Sequence, residues 1–351
     1  MSLVSVVLVN FNGAKDLPYC IESLSRQDYK EIELIAIDNG SNDGSKEILL
    51  SLVGESATGR FSGNSHTLVF NKENIGFSKA LNQGIRLSSG EFIMSLNPDV
   101  ILEQNFISTL ICEFENDEVG SASGKLLRFP PGNMDNMIDS AGHIIFRNRL
   151  CENRGEGFPG NEKFLEPEYI FGTCGAAAIY SRRMLEDVKV FDEYFDEDFF
   201  AFWEDIDLDW RANLRGWRCA YNPEAIAYHR RGGAGYRKSL LVEYHNYKNR
   251  YLMMIKNDSA RYILKNLLGI ILTEVLKGGA LLIRCPRAVL SLFEVIRLTP
   301  KMIAKRRIIQ SRRIVPAREI NSWFEPFPYR KWIRRHLLSR GEMIRGGDAL
   351  R

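Results

Sequence analysis

The chain of 351 residues has no Cys-x-x-Cys pair; its six cysteines, Cys20, Cys112, Cys151, Cys174, Cys219 and Cys285, stand far apart. That spacing excludes a zinc ribbon and a dense disulfide framework, and it suits a reducing compartment. No internal repeat recurs at a fixed period, which excludes a solenoid or a propeller. The apolar start, Leu3 to Val9, is short and has no positive charge before it, so it reads as a buried strand and not as a signal peptide. The largely apolar stretch 266–283 is interrupted by Glu274, Lys277 and three glycines. It therefore reads as an interfacial or packed helix and not as a membrane span.

Hydrophobic residues at 45% and charged residues at 26% fit an ordinary globular protein. The net charge of +3 hides an asymmetry: Arg297 to Arg351 holds 15 Lys+Arg against 4 Asp+Glu, or +11, which leaves −8 for residues 1–296. A mildly acidic body with a basic tail points to an anionic surface as partner; the plainer alternative is a solvated helical tail. No nucleic-acid partner is expected.

Val4 to Val9 is a β-branched run that stops at the polar turn Asn10-Phe11-Asn12-Gly13, after which Leu17, Cys20, Ile21 and Leu24 recur at helical spacing. Ile32 to Ile37 is a second run, ending at Asp38-Asn39-Gly40. A helix from Lys46 to Leu52, a strand from Thr67 to Phe70, a helix from Phe77 to Leu87 and a strand from Glu91 to Leu96 follow. Strands alternating with helices predict a mostly parallel, doubly wound α/β sheet. In such sheets ligands bind beyond the carboxyl ends of the strands, where Asn10, Asp38 and Asp99 all fall. Residues 128–168, rich in Gly, Pro and Asn, read as an inserted loop region. Beyond Tyr236 the pattern changes to long helical segments.

Four places carry candidate chemistry. Asp38 can accept hydrogen bonds from a base or ribose, and it equally suits a turn. Asn97-Pro98-Asp99 offers a carboxylate to a hard divalent cation, Mg²⁺ or Mn²⁺, which would neutralise a leaving diphosphate. The run Glu204-Asp205-Ile206-Asp207-Leu208-Asp209-Trp210-Arg211 places four carboxylates within six residues. One could take the proton of an attacking hydroxyl; the others could offset a helix macrodipole or pair with Arg211. His229 is a possible metal ligand, and Arg230-Arg231-Gly232-Gly233 could fold over a diphosphate.

In order, these segments resemble glycosyltransferase family 2, the inverting group with the GT-A fold. The resemblance runs from residue 3 to about 235. It is carried by Val4–Gly13, Asp38–Ser45, Asn74-Ile75-Gly76-Phe77, Asn97-Pro98-Asp99, Gly172-Thr173-Cys174-Gly175-Ala176, Phe191-Asp192-Glu193, Glu204–Leu208 and His229. The Asn74–Phe77 and Glu204–Leu208 segments are most similar to rhamnosyltransferase-like members. The resemblance implies a Rossmann-like, mostly parallel sheet flanked by helices, a catalytic domain over residues 1–237, and a basic helical region over 238–351.

It also implies roles. Asp38 contacts the nucleobase, with Asn10 and Asn39 nearby. Asp99 stands at the last position of the family's Asp-x-Asp metal motif, whose first position is here Asn97. Asp205 matches the catalytic base and His229 the second metal ligand, while Gly175, Trp203 and Glu204 lie where the acceptor binds. The expected donor is dTDP-rhamnose first and a UDP-sugar second, the acceptor a saccharide or lipid-linked saccharide of cell-surface polysaccharide. The expected place is the cytoplasm, or peripherally the inner face of a bacterial or archaeal plasma membrane. The rivals are a nucleotidyltransferase, which lacks its glycine-rich loop here, and a non-catalytic, membrane-attached interaction protein.

Overall fold

A computed structural model describes residues 2–56, 66–129, 136–230 and 239–329. The first half alternates as its periodicity predicts: β1 (Val4–Asn10), α1 (Leu17–Ser25), β2 (Ile32–Asp38), α2 (Ser45–Ser56), β3 (His66–Phe70), α3 (Phe77–Leu87) and β4 (Phe92–Leu96). Then come β5 (Val100–Leu102), α4 (Phe106–Cys112), β6 (Val119–Arg128), β7 (Ile138–Ser140), β8 (His143–Ile145), β9 (Cys151–Asn153) and β10 (Glu168–Ile170). The catalytic-looking segments follow in β11 (Ala177–Ser181), α5 (Arg182–Val188), α6 (Glu204–Leu214) and β12 (Arg218–His229). The last part is helical: α7 (Leu240–Asn257), α8 (Ala260–Lys265), α9 (Leu267–Arg284), α10 (Ser291–Arg312) and α11 (Ala317–Ser322).

One ten-stranded sheet runs in the order β10-β12-β6-β11-β4-β1-β2-β3, with β5 against β12 and β7 against β6. β1 is parallel to both β2 and β4, with Asn10 level with Asp38, so these polar residues emerge together at one end. β11 runs antiparallel between β4 and β6, which makes the sheet mixed at its centre. Alternation along β1 explains its continuous apolar run. Val4, Val6 and Leu8 pack with Leu17 and Phe106 on one face, while Val7 and Val9 pack with Leu81, Met184 and Leu208 on the other.

A third core joins the C-terminal helices to this body. Ile145, Phe171, Trp203, Ile206 and Trp210 pack there against Leu252, Met253, Val295, Met302 and Ile309. The segment read as an inserted loop region contains three short strands, β7, β8 and β9. Strands of three residues are too short to show a period of two, which is why periodicity missed them. No helix of the described residues is long and apolar enough to cross a membrane.

Candidate active site

The polar strand ends face α6 and α7 across a cleft of about 720 Å³. Its wall includes Asn39, Asn97, Asp99, Gly175 and His229 from the strand ends and the loops beside them, and Trp203, Glu204 and Asp205 from the start of α6. Two segments distant in sequence therefore meet in one cleft.

Local backbone strain aims α6. Phe200, Phe202 and Trp203 all have left-handed φ, +67°, +70° and +71°, a conformation unfavourable for aromatic residues. It is held from outside: the Asn249 side-chain amide donates to the carbonyls of Phe199, Ala201 and Phe202 at 3.0, 2.9 and 2.7 Å. The Trp203 indole N–H donates to Asn246 at 2.8 Å. Both braces come from α7, so the C-terminal region helps to build the site.

The carboxylates of α6 then diverge. Asp205 accepts the Gly175 N–H at 3.0 Å, and His143 Nε2 lies 3.7 Å from the same oxygen. Asp209 accepts the Thr173 N–H at 2.8 Å. The loop approaches so closely that a Cβ on Gly172 would sit 2.2 Å from an Asp209 oxygen, which explains the glycine. Burial, with Asp205 nearby, pushes the carboxyls of Glu204 and Asp209 well above the usual range. Glu204 Oε2 is buried without a hydrogen-bond partner. Asp207 turns away, to Arg211 Nε at 3.0 Å and Lys256 at 2.8 Å.

Asp99 and His229 meet, with His229 Nε2 3.4 Å from Asp99 Oδ1. On the other side of the ring, His229 Nδ1 is 2.8 Å from the fully buried Asp139, which fixes the imidazole and leaves Nε2 toward Asp99. Burial alone would lower the imidazole pKa, but the hydrogen bonds to Asp139 and Asp99 raise it to about 9. Two atoms that ligate one octahedral cation at about 2.1 Å lie roughly 3 Å apart, so this pair fits a divalent ion. Asn97 Oδ1, buried and without a hydrogen-bond partner, adds an oxygen to the same wall. Among the described residues, the group of three carboxylates close enough to hold a metal is Glu193, Asp196 and Asp198. It lies elsewhere and already holds the Lys305 ammonium.

The remaining expected residues are placed as follows. Asn10 donates to Asp38 at 2.9 Å; both are buried, and neither lines the cleft. Asn39 does line it, while bracing the loop before α3: its amide donates to Asn74 at 3.0 Å and it accepts the Ile75 N–H at 3.2 Å. Arg230 is held by Asp16 at 2.5 Å. Arg231 lies outside the described residues. Sequence reasoning missed Asp139, His143 and Lys277. The first two sit in the segment without periodicity, and Lys277 sits on a helix whose other face is apolar.

A mixed sheet whose parallel strands β4, β1 and β2 end at this cleft, flanked by helices, has the GT-A fold. A family model described as "Glycosyl transferase family 2" matches residues 5–189, more than half of the chain. The chain belongs to glycosyltransferase family 2. Asp205 and His229 lie beyond the matched segment.

Among curated relatives, poly-β-1,6-N-acetyl-D-glucosamine synthase of Staphylococcus aureus (strain COL) is 24% identical over 228 residues, 64% of this chain and 49% of that protein. Glycosyltransferase GlyG of Streptococcus pneumoniae serotype 4 is 30% identical over 128 residues, 36% of this chain and 40% of that one. The chain thus spans about half the length of these relatives. Among solved structures, residues 1–349 of S. aureus TarS match with a TM-score of 0.55 at 16% identity, covering 94% of this chain and 92% of that one. GalNAc-T7 with UDP, GalNAc and Mn²⁺ matches with a TM-score of 0.57 at 16% identity, over 75% of this chain and 49% of that one. At these identities the likeness shows the fold.

Proposed function

We propose that this chain is an inverting glycosyltransferase of cell-surface polysaccharide synthesis, moving a sugar from a nucleoside-diphosphate sugar to a saccharide or lipid-linked saccharide. The observation that carries it is the Asp205 carboxylate, held by the Gly175 N–H in the cleft that also contains the Asp99–His229 pair. Asp205 takes the proton of the acceptor hydroxyl as its oxygen bonds to the anomeric carbon. The bond to the diphosphate breaks on the opposite face, so the configuration inverts. Mg²⁺ or Mn²⁺ held by Asp99 and His229 would supply charge neutralisation at the leaving diphosphate. Asn39 serves the nucleoside end of the donor, with the buried Asn10–Asp38 pair holding its strand end from behind the cleft wall; Asn97 serves the ribose, and Arg230 and Arg231 the diphosphate. Trp203, Glu204 and Gly175 form the acceptor side.

Catalysis is assigned to residues 1–237. The region 238–351 is assigned to bracing and walling the site from α7 and to docking on an anionic membrane surface at the inner face of the plasma membrane. The donor is dTDP-rhamnose first and a UDP-sugar second. TarS has been solved with UDP, and the staphylococcal relative is named for a polymer of N-acetylglucosamine, so both support testing UDP-sugars. Release of nucleoside diphosphate from a panel of nucleotide sugars, with Mn²⁺ or Mg²⁺ and a saccharide acceptor, tests the reading. No release from any donor by the wild type, with folding intact, would replace it with the non-catalytic interaction protein.

A further inference from the structure

Exposed apolar side chains are unevenly spread over this molecule. Of the 21 large ones among the described residues, 11 fall between Leu264 and Ile296. They include Leu268, Ile271, Val275 and Ile283 on α9 and Phe293 and Ile296 on α10. The α9 positions recur at intervals of three, four and eight, which places them along one helical face. A concentration of this size on an otherwise polar surface marks an interaction site.

The charges around it have one sign. From 259 to 307 every exposed charged residue is basic. Arg261 and Lys265 precede α9, Arg284 and Arg287 follow its last turn, and Arg297, Lys301 and Arg307 lie on α10. The two acids of that stretch are half-buried and engaged: Glu274 with Arg250, and Glu294 with Tyr244 at 2.5 Å. An apolar face rimmed only by cations complements an anionic bilayer, whose interface attracts basic groups while its acyl boundary takes the apolar ones. A protein partner of matching shape would have to be acidic around an apolar centre, and nothing in the fold selects for one.

The same helix also reaches the cleft, because Lys277 lines it together with Trp203, Asp205 and Asn246. No carboxylate of the described residues lies within ion-pair distance of the Lys277 ammonium. Burial first, and then the neighbouring Arg250, lower its pKa to about 8, against the opposing pull of Glu243, Glu274 and Glu152. Of these, Glu274 is already bound by Arg250 and Tyr251. An arriving anion would find in Lys277 a half-buried cation of the cleft wall whose charged neighbours lie on α7, α9 and β9.

We propose that α9 is a shared wall between an anionic bilayer and the cleft: its outer apolar face sits in the lipid interface, and Lys277 on its inner side receives the phosphate of a lipid-carried acceptor. This rests on the reading of the cleft as a sugar-transfer site and names its acceptor class.

Two measurements on the full chain test it. In low salt, wild type sediments with vesicles of phosphatidylcholine and phosphatidylglycerol and stays in solution with phosphatidylcholine alone. The variant L268E/I283E changes two side chains that are 85% and 82% exposed, so folding is spared, and it loses at least about tenfold of that binding. Failure of wild type to sediment, or unchanged sedimentation of the variant, overturns the docking face. For the cleft, Lys277 is acylated with acetic anhydride at a pH near 8 and followed by mass spectrometry. Dodecyl phosphate carried in the vesicles protects it, whereas inorganic phosphate, vesicle-borne dodecyl maltoside and UDP with Mn²⁺ do not. Equal protection by inorganic phosphate or UDP, or none by dodecyl phosphate, overturns the acceptor assignment. Neither readout requires sugar transfer, so an inactive wild type would defeat the catalytic reading and leave this test standing.

Discussion

Two carboxylate clusters lie on opposite sides of α6, and they are built for different ends. Around Asp196, the acids Glu193, Asp196, Asp198 and Asp207 meet the cations Lys256, Lys301, Lys305 and Arg211, four against four. Across the helix, no lysine or arginine of the described residues pairs with Asp99 or Asp205; their close neighbours are His229, His143 and the backbone N–H groups of Gly175 and Ile206. The first cluster is saturated and ties α7 and α10 to the catalytic body. The second leaves its charge available to a ligand. Acid-rich sequence therefore says little about function until the countercharges are located.

The comparison can be broken from either side. The largest effect is expected for Asp205→Asn, which should lower transfer by roughly 10² to 10⁴-fold. Donor binding and unfolding midpoint should stay close to wild type; wild-type turnover would remove Asp205 from the reaction. Next comes Lys305→Met, which strands buried carboxylates and should cost about 3–5 kcal/mol in denaturant unfolding. A loss under about 1 kcal/mol would show that the lysine cluster is not a structural lock.

Asp139→Asn should weaken Mn²⁺ binding about 10 to 100-fold, read by titration of the ion, because it loosens the His229 ring. A smaller effect is expected for Glu204→Gln, and its sign is the informative part. Burial raises the Glu204 carboxyl, so the folded chain holds a proton that the unfolded chain releases above about pH 4. Stability from this group is thus present in acid and lost as pH rises, so the glutamine variant should be more stable at neutral pH, by up to about 1 kcal/mol.

Asp196 behaves oppositely. Burial would raise it, but Lys256 and Lys305 overcome that and hold it below the usual carboxylate range. Its contribution is complete above the unfolded value of about 3.9 and is lost as pH falls below it. Wild type should therefore weaken below about pH 4, and Asp196→Asn should flatten that limb of a pH–stability curve. The smallest effect belongs to the exposed Arg183–Asp117 pair, whose removal should change stability by less than about 0.5 kcal/mol.

Much of the fold was legible because its elements are long enough to carry a period. β1, β2, α1 and α3 appear where apolar spacing placed them, since a half-turn or a pleat repeated several times leaves a pattern. The polar strand ends were legible for the same reason: a buried run that stops abruptly must stop at something solvated. Asp139 and His143 were not, because β7 and β8 are three residues each and lie in a segment rich in turn-formers. The acidic run of α6 was visible as a whole, but not how its members divide. That division depends on the Gly175 and Thr173 amides on one side and on Lys256 of α7 on the other, the latter about 50 residues away.

The basic tail shows the same limit. Counted along the chain it is a block of positive charge, yet Lys305 is buried in the acidic cluster while Arg297 remains at the surface. By itself the sequence determined the alternating α/β order, the strand ends that hold Asn10, Asp38 and Asp99, and the family, because these follow from local periodicity and ordered motifs. Only the tertiary structure decided which carboxylates are neutralised and which stay open, because a countercharge is a fact about distance in space, and the partners here come from far along the chain.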